Sequence, residues 1–218
     1  MDARNRIAKR IAKEISRGDV VNCGIGIPTL VPNYVPQDLG VTFHSENGVL
    51  GVGPSPPLAE ADPDISNASV YPITLIPGAA VFDSVTAFAM IRSGAVTMAI
   101  LGAIQVDQKG DLANWTIPGQ LPIGMGGAMD LATGAKRVIA ATEHCNKDGS
   151  PKILKRCTYP LTAKGKVNLI VTEKAVMEVK PEGLLLREVA ADTTVEDVLN
   201  LTDADLIVGD DCRVAEDF

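Results

Sequence analysis

The sequence predicts an α/β fold, with an open, mostly parallel sheet covered by helices on both faces. Two observations lead to this prediction. Segments with helical spacing of apolar residues alternate with short apolar segments, which is typical of a layered α/β domain. Two of the short segments, residues 96–101 and 137–142, are apolar on both faces, as strands buried between two layers of helices are. No repeat or linker interrupts the pattern, so residues 1–218 are predicted to form one domain.

The N-terminal half of the chain alternates helical and extended patterns. Ile7, Ile11 and Ile15 recur at helical spacing and predict a first helix that ends at Gly18, a residue typical of helix C-terminal caps. The next predicted elements are a strand over 19–23, a helix that begins at Pro28, a strand over 41–44, a helix over 85–92 capped by Ser84, and the strand over 96–101. The proline-rich stretch 54–63 is predicted to be a surface loop.

The C-terminal half is predicted to be richer in strands. Their ranges are 137–142, 167–172, 175–179 and 184–189, and a turn around Gly183 joins the last two. Thr193 and Glu196 have the spacing of a capping box, which predicts a last helix that ends at Leu201. A final strand is predicted near residues 206–208.

Charge and rare residue types exclude several classes of function. With a net charge of −7, the chain lacks the basic footprint of a protein whose main partner is nucleic acid. Its longest apolar run, residues 96–106, is far shorter than the ~20 residues of a membrane-spanning helix. The basic N-terminal residues belong to the first helix rather than to a transit peptide, so we expect a cytoplasmic protein with no membrane partner. The four cysteines form no CxxC pair and are expected to be free thiols, and His144 beside Cys145 lacks a second ligand pair, so no metal site is predicted.

The glycine loop after the first predicted strand is a candidate anion site. Gly24 and Gly26 have the spacing that opens a dinucleotide-binding fingerprint, but Thr29 stands at its third glycine, so a Rossmann cofactor site is not predicted. Backbone N–H groups at a helix N-terminus can bind an anion. A tight turn needs the same glycines for its backbone alone, and the loop by itself leaves both interpretations open.

Glu46 is the side chain best placed for chemistry. It lies just past the C-terminal end of the strand over 41–44, which is where ligands bind in open α/β sheets. Gly48, Gly51 and Gly53 leave room for a bulky group to approach. With two histidines in the chain, histidine-assisted serine or cysteine catalysis is not expected, which leaves carboxylate chemistry or no catalysis. On these local features alone, a surface glutamate in a turn is the more common situation.

Residues 43–51, Phe-His-Ser-Glu-Asn-Gly-Val-Leu-Gly, resemble the active-site signature of the small subunit of 3-oxoacid CoA-transferases. The resemblance covers nearly the whole chain and weakens after about Lys180. The other matching motifs are residues 21–22, 24–29, 77–79, 82–84, 112–115, 124–131 and 160–162. The chain departs from the family pattern at Ser69, Ser93 and Ala95, where Gly, Gly and His are usual, and at Cys23, where Leu is usual. The departures near residues 93–95 leave substrate preference open.

The resemblance implies covalent, ping-pong catalysis on Glu46. Its carboxylate attacks an acyl-CoA to form a mixed anhydride, which CoA thiolate converts to a glutamyl-CoA thioester. A glutamate is ionised at neutral pH and needs no general base, which agrees with a chain poor in histidine. The Gly127 amide is, by the same resemblance, a candidate oxyanion donor, with close packing of its loop as the alternative. The residues expected to contact CoA are Gly24, Gly26, Asn47 and Gly48.

The family resemblance also implies a fold shared with sugar-phosphate isomerases and a larger partner subunit, usually in an A2B2 heterotetramer. Coenzyme A is then a substrate, and neither another cofactor nor a metal is expected. Segments 124–131 and 152–171 most resemble acetoacetate–butyrate or acetoacetate–acetate transferases, with 3-oxoadipate and succinyl-CoA enzymes as alternatives. A thioesterase of the same fold, in which water takes the acceptor's place, is a further alternative. A non-catalytic subunit is disfavoured by the intact turn 45–48.

Overall fold

The computed structural model describes residues 1–122, 124–216 and 218, which form layers of helices around a sheet. The α-helices in this part of the chain are α1 Ala3–Ala12, α2 Ser84–Arg92, α3 Ala128–Gly134 and α4 Val195–Leu201. Short 3-10 helices lie in the N-terminal third, at Ile27–Tyr34, Gln37–Leu39 and Leu58–Glu60.

The strands divide into one large and one small sheet. In chain order they are β1 Val20–Cys23, β2 Thr42–Ser45, β3 Val49–Val52, β4 Leu75–Val81, β5 Met98–Gly102, β6 Gln105–Asp107, β7 Leu112–Ala113, β8 Arg137–Ala141, β9 Ile153–Leu154, β10 Leu169–Val171, β11 Ala175–Lys180, β12 Gly183–Ala190 and β13 Leu206–Ala215. Ten of them form the large sheet in the order β13-β12-β11-β10-β8-β5-β1-β2-β3-β4, and the small sheet has the order β7-β6-β9.

The centre of the large sheet is parallel. Strands β2, β1, β5, β8 and β10 lie side by side in that order, each parallel to the next. Antiparallel strands extend the sheet at both ends, with β3 and β4 beyond β2 and with β11 and β12 beyond β10. This arrangement confirms the predicted open, mostly parallel α/β sheet. The antiparallel pairing at its two ends was not part of that prediction.

The sheet buries an apolar core on each face. Helix α1 packs on one face, and helices α2, α3 and α4 pack on the other. Strand β5 contributes to both cores: Met98 and Ile100 point to the α1 side, whereas Ala99 and Leu101 point to the opposite side. All four side chains are buried, which is why this segment is apolar on both faces. The predicted helices on both faces are confirmed.

Two predicted helices differ from their expected form. α1 ends at Ala12 rather than at Gly18, yet Ile15 beyond it remains buried in the same core. The helix predicted after the glycine loop is the 3-10 helix Ile27–Tyr34, which contains Pro32. Pro32 has no N–H for an α-helical hydrogen bond, so a run of tighter turns replaces a regular helix.

Two predicted helix caps are wrong by one residue. The N-terminal cap of α2 is Asp83 rather than Ser84, and its carboxylate accepts a hydrogen bond from the Thr86 N–H at 2.7 Å. Helix α4 has a capping box, but Thr194 and Asp197 form it. In each helix the cap is the residue whose backbone is still extended, with ψ of 162° at Asp83 and 160° at Thr194.

The carboxyl ends of β1 and β5 flank the crevice of the sheet. β1 has β2 on one side and β5 on the other, and the later parallel strands continue on the β5 side. Loops that leave the sheet at such a reversal diverge, and ligands of open α/β sheets bind between them. Glu46 follows β2 and the glycine loop 24–26 follows β1, so both lie at this edge.

Candidate active site

Glu46 lies in the tight turn between β2 and β3. The Gly48 N–H donates to the Ser45 carbonyl oxygen at 3.0 Å and closes the turn. Gly48 has a φ of +126°, and a Cβ at this position would overlap the Phe82 carbonyl oxygen. Any other residue would therefore disrupt the turn. The turn holds the partly buried Glu46 at the carboxyl end of β2.

One carboxylate oxygen of Glu46 is held by a side chain on the neighbouring strand. The Asn22 amide on β1 donates to Glu46 Oε2 at 2.9 Å, and the same nitrogen lies 3.1 Å from His44 Nδ1. Asn22 and His44 are register partners in the parallel pair β1–β2, so their side chains share one face of the sheet. They are 0% and 3% exposed, respectively. Three polar side chains thus meet at the ends of two buried strands.

The other carboxylate oxygen faces a glycine. A Cβ on Gly127 would lie 3.3 Å from Glu46 Oε1 and 3.3 Å from Phe88 Cζ. A side chain at this position would therefore press on the carboxylate. Gly127 is also the residue before α3, where its carbonyl oxygen accepts a hydrogen bond from the Leu131 N–H at 2.9 Å. The start of α3 thus brings a backbone without a side chain up to the carboxylate of Glu46.

Burial controls the ionisation of two groups near Glu46. It lowers the pKa of His44 below the usual 6.5, and the negative charge of Glu46 offsets only part of this effect. Burial raises the pKa of the Cys23 thiol to about 12, and the charge of Glu46 adds to that shift. At neutral pH His44 is therefore an uncharged imidazole and Cys23 an uncharged thiol. Neither supplies a positive charge or a thiolate nucleophile beside Glu46.

The remaining residues expected to contact CoA have structural partners of their own. The Gly24 N–H donates to a β5 carbonyl oxygen at 2.8 Å, and the Gly48 N–H closes the turn described above. The Asn47 amide donates to the Ser66 carbonyl oxygen at 2.7 Å. Gly26 has a φ of +89° and precedes the 3-10 helix. Their contact with CoA stays a prediction, and the N–H groups of Gly24 and Gly48 are already donated within the chain.

The sequence analysis did not select Asn22 or His44 as site residues. For Asn22 the signal that could have found it is polarity, because it is the one strongly polar residue of β1, whereas His44 lies in a strand that also contains Thr42 and Ser45. Buried polar groups require hydrogen-bond partners, so such positions indicate a network. The register between β1 and β2 is what places the two side chains together, and the sequence does not reveal that register.

The described residues contain no metal-binding cluster, no disulfide and no membrane-spanning helix. Within 1–122, 124–216 and 218, no group of three or more His, Cys, Asp or Glu side chains could hold a metal ion. All four cysteines are free thiols. Over the same ranges, no helix has both the length and the apolar character needed to cross a membrane. The groups near Glu46 are the Asn22 amide, the His44 imidazole, the Cys23 thiol and the backbone of Gly127.

Known proteins carry closely similar sequences. The family model for coenzyme A transferase matches residues 4–200. The chain is 52% identical over 190 residues to the acetate CoA-transferase subunit beta of Escherichia coli (strain K12), and the match covers 87% of each protein. It is 50% identical over 198 residues to the mitochondrial succinyl-CoA:3-ketoacid coenzyme A transferase 2B of Mus musculus, covering 90% of this chain and 38% of the mouse protein.

A solved structure has the same fold. The acyl-CoA transferase of E. coli O157:H7, in a thioester complex with CoA, superposes with a TM-score of 0.79 and 20% sequence identity. The superposition covers 100% of this chain and 44% of that one, so this chain spans less than half of its length. Identity at this level shows the fold alone, whereas the family model and the relatives near 50% identity show common descent. The chain therefore belongs to the coenzyme A transferase family and is a CoA-transferase subunit of the beta type.

Proposed function

We propose that this chain transfers coenzyme A between a short-chain acyl-CoA and a 3-oxo acid such as acetoacetate, through a glutamyl-CoA thioester on Glu46. The observation that carries the proposal is the asymmetry of the Glu46 carboxylate. Oε2 accepts a hydrogen bond from the buried Asn22, whereas Oε1 faces Gly127, which has no side chain. One oxygen is held in place, and the other is the nucleophile.

In the first step, Glu46 Oε1 attacks the thioester carbonyl of the acyl-CoA. The C–O bond of a mixed anhydride forms, the C–S bond breaks, and CoA leaves as a thiolate. The attack needs no general base because the carboxylate has no proton to lose. A carboxylate is a weak nucleophile, so interactions with the rest of CoA must strengthen in the transition state to drive the step.

In the second step, the CoA thiolate attacks Cδ of Glu46. The Cδ–Oε1 bond breaks, the donor acid leaves with that oxygen, and the thioester keeps Oε2 as its carbonyl oxygen. Oε2 therefore carries the negative charge of every tetrahedral intermediate formed on Cδ. The Asn22 N–H, 2.9 Å from Oε2, is placed to stabilise this charge. One such donor contributes roughly 10²–10³ in rate. The acceptor acid then reverses both steps.

Gly127 is our candidate for the second oxyanion donor. Its backbone approaches Oε1, which is the oxygen that joins the incoming acyl group. A donor at this position can act on the acyl carbonyl, while Asn22 acts on the glutamyl carbonyl. Both intermediates are easily lost to water, so the finished site must also exclude it.

The substrate class is inferred from the relatives. Their names specify acetate for the E. coli protein and succinyl-CoA with a 3-keto acid for the mouse protein. Both names support short carboxylic acids, and the mouse name supports a 3-oxo acid on one side of the reaction. Butyrate, acetate and succinate are the candidates for the other acid.

The relatives also support a larger partner subunit. This chain covers 38% of the mouse protein and 44% of the E. coli O157:H7 structure, whereas the acetate enzyme of E. coli has a separate subunit called beta. We infer that a second subunit supplies the remainder of the site here, in an A2B2 assembly within the cytoplasm.

Exposed apolar residues beside the site support that partner. Val81 and Val85 flank the Phe82–Asp83 segment that contacts the Glu46 turn, and they are 69% and 77% exposed. Ile25, in the glycine loop, is 71% exposed. Apolar side chains at the border of a site are typical of a protein interface. A subunit seated on them would also keep water from the anhydride.

Trapping the covalent intermediate tests the role of Glu46. The reconstituted complex is incubated with acetoacetyl-CoA without an acceptor acid and then treated with borohydride, which reduces a thioester. We expect inactivation and a reduced side chain at Glu46 by peptide mass spectrometry, with neither effect in a Glu46→Gln complex. A modification at another residue, or an active complex that is not trapped, contradicts the proposal.

An assay of individual acids tests the substrate and partner assignments. With acetoacetyl-CoA as donor, we expect transfer to acetate, butyrate or succinate to exceed hydrolysis. Hydrolysis that persists at saturating acid would indicate a thioesterase instead. The isolated chain is expected to be slower than the complex by at least about 10²–10³, the contribution of one oxyanion donor. Equal rates would show that this chain holds a complete site.

A further inference from the structure

The orientation of the Asn22 amide is fixed by two acceptors. Its nitrogen lies 2.9 Å from Glu46 Oε2 and 3.1 Å from His44 Nδ1, so each of its two hydrogens has a partner. A carboxylate oxygen can only accept, which means that the NH₂ group and not Oδ1 faces Glu46. If the amide turned over, its carbonyl oxygen would face the carboxylate and the two would repel each other.

His44 can accept from Asn22 in only one of its forms. A hydrogen bond to Nδ1 requires that Nδ1 carry no proton, so the imidazole is neutral and protonated at Nε2. Burial favours the neutral form, because the ring is 3% exposed. The Phe82 ring stacks on it with centroids 6.4 Å apart and planes 24° apart. The backbone register of β1 and β2 sets the position of the ring relative to Asn22.

We propose that His44 is a positioning residue, whose Nδ1 holds the Asn22 amide with its N–H directed at Glu46 Oε2. This inference rests on the proposed function, because it matters only if Oε2 becomes the glutamyl carbonyl oxygen. His44 does not contact Oε2 and acts through Asn22. Without His44, one Asn22 hydrogen loses its partner, and in the anhydride and thioester forms of Glu46 no carboxylate charge holds the amide, so it can turn its oxygen toward Oε2.

The expected loss falls on the chemical step. A complete loss of an oxyanion donor costs roughly 10²–10³ in kcat, and an amide that spends part of its time reversed loses a part of that. We therefore expect about a tenfold fall in kcat when the acceptor at Nδ1 is removed. The KM for acyl-CoA is expected to change little, because neither His44 nor Asn22 is assigned to binding the CoA moiety.

The variants separate the hydrogen bond from packing. His44→Leu removes the acceptor and keeps an apolar volume, whereas His44→Asn retains an oxygen near the position of Nδ1. His144→Leu is the matched control, because it removes the other buried histidine, which follows β8, two strands away from β1. All are measured as complexes with the larger subunit, after thermal unfolding has shown that they are folded.

The decisive measurement is a double-mutant cycle on kcat. If His44 acts through Asn22, His44→Leu lowers kcat about tenfold in the wild-type background and has no further effect in an Asn22→Leu background. His44→Asn is expected to remain within about threefold of the wild type, and His144→Leu to keep its kcat. Equal losses in His44→Leu and His44→Asn, or additive losses in the cycle, would overturn the proposal.

The same experiment distinguishes this inference from the proposed function. Glu46→Gln is assayed in parallel. If this variant retains transfer activity, the proposed glutamyl thioester is wrong, and the positioning role of His44, which depends on it, is wrong as well. If Glu46→Gln is inactive but His44→Leu matches the wild type, only the positioning role is wrong. If His44→Leu does not assemble, a folded His44→Asn complex as slow as Asn22→Leu would still contradict the proposal.

Discussion

Two glutamates occupy comparable places in this sheet, and their surroundings differ. Glu46 follows β2 and Glu173 follows β10, so both lie past the carboxyl ends of parallel strands, and both are partly buried. Each has a buried histidine near it, His44 beside Glu46 and His144 beside Glu173. Glu173 Oε2 accepts the backbone N–H of His144 at 2.9 Å, whereas Glu46 Oε2 accepts a side-chain amide. The Glu173 carboxylate therefore pairs with the backbone, whereas the Glu46 carboxylate pairs with a side chain.

The two histidines share a tautomer but differ in their partners. The Thr202 hydroxyl donates to the Val198 carbonyl oxygen, so it accepts from His144 Nε2 at 2.9 Å. The Thr172 hydroxyl accepts from two backbone N–H groups, and because His144 Nδ1 carries no proton, the single hydroxyl hydrogen goes to Nδ1 at 3.0 Å rather than to the more distant Ala175 carbonyl oxygen at 3.3 Å. Both nitrogens of His144 are therefore satisfied. His44 Nε2, also buried, has no hydrogen-bond partner among the described residues.

The two networks differ in how far their polar atoms are satisfied. Around His144 every donor has an acceptor, and such a network rigidifies the fold. Around His44 two buried polar atoms, its Nε2 and Asn22 Oδ1, have no partner among the residues that the structure describes. Unsatisfied buried groups cost free energy, and they are tolerated mainly where function requires them. The polar residues near Glu46 therefore keep free hydrogen-bonding capacity, whereas those near Glu173 are paired within the fold.

The largest expected effect is on transfer activity in the pair Glu46→Gln and Glu173→Gln. Glutamine keeps the shape of the side chain but lacks the nucleophilic carboxylate, so Glu46→Gln is expected to lower kcat by roughly 10⁴-fold or more. Glu173→Gln keeps an oxygen that accepts the His144 N–H, and its kcat is expected to be unchanged. Steady-state assays of both complexes make the comparison. A large loss in Glu173→Gln would show that the two carboxylates are not functionally distinct.

The next effect is on stability at acid pH, and it belongs to His144. Burial and the charge of Lys174 lower the pKa of His144 from 6.5 to about 4. Between these values the unfolded chain binds more protons than the folded one, so the free energy of unfolding falls as the pH falls. The loss reaches about 3 kcal/mol at pH 4 and is complete below it, at roughly 1.4 kcal/mol for each pH unit between the two pKa values.

Urea unfolding between pH 7.5 and pH 4 measures this loss. The control is His144→Asn, which keeps an acceptor near Nδ1 but does not titrate in this range. We expect the wild type to lose about 3 kcal/mol more than the variant over this interval. The same pH dependence in both proteins would mean that His144 does not carry it.

The sequence analysis found the centre of the large sheet and its margin at β11 and β12, but it missed β3 and β4 at the other margin and the three strands of the small sheet. Strands β5 and β8 are apolar on both faces because helices cover them, and that pattern is visible without a structure. β6, β7 and β9 have three residues or fewer, too short for any periodicity to show. β13 was predicted over 206–208 but extends to Ala215, since its exposed edge position permits Gly209 and acidic residues that are unusual within a strand.

The same contrast applies to the site. Glu46 was selected because residues 43–51 resemble a family signature, whereas its local features, a carboxylate in a glycine turn after a strand, are equally those of a surface turn. Its approach to Gly127 depends on where α3 begins, and α3 was not predicted because its 7 residues are too few to show helical periodicity. Asn22 and His44 meet through the register of two strands, which local patterns do not specify. Contacts formed by tertiary structure are therefore the part of the site that the sequence leaves undetermined.

The smallest expected effect is on the free energy of unfolding, when His144 Nε2 is left without an acceptor, as His44 Nε2 is among the described residues. Thr202→Val removes the acceptor of the His144 Nε2–H, so that this nitrogen is left unpaired, as it is in His44. Leaving a buried donor unsatisfied costs about 1–3 kcal/mol. The value expected here is near the lower end, because Thr202 is only partly buried and water can reach its surroundings. Urea unfolding at pH 7.5 measures the change, with Thr202→Ser, which keeps the hydroxyl, as the control.

Transfer activity decides what this last comparison means. A kcat equal to the wild type in Thr202→Val, together with the loss of stability, would show that an unpaired imidazole nitrogen does not by itself make a site. The functional difference would then lie in the other nitrogen, where His44 faces Asn22 and His144 faces Thr172. A fall in kcat of tenfold or more would instead mean that the network around His144 reaches Glu46. Strands β8, β5 and β1 lie between β10 and β2, so four spacings of about 4.8 Å place Glu173 and Glu46 about 19 Å apart, and we expect no such fall.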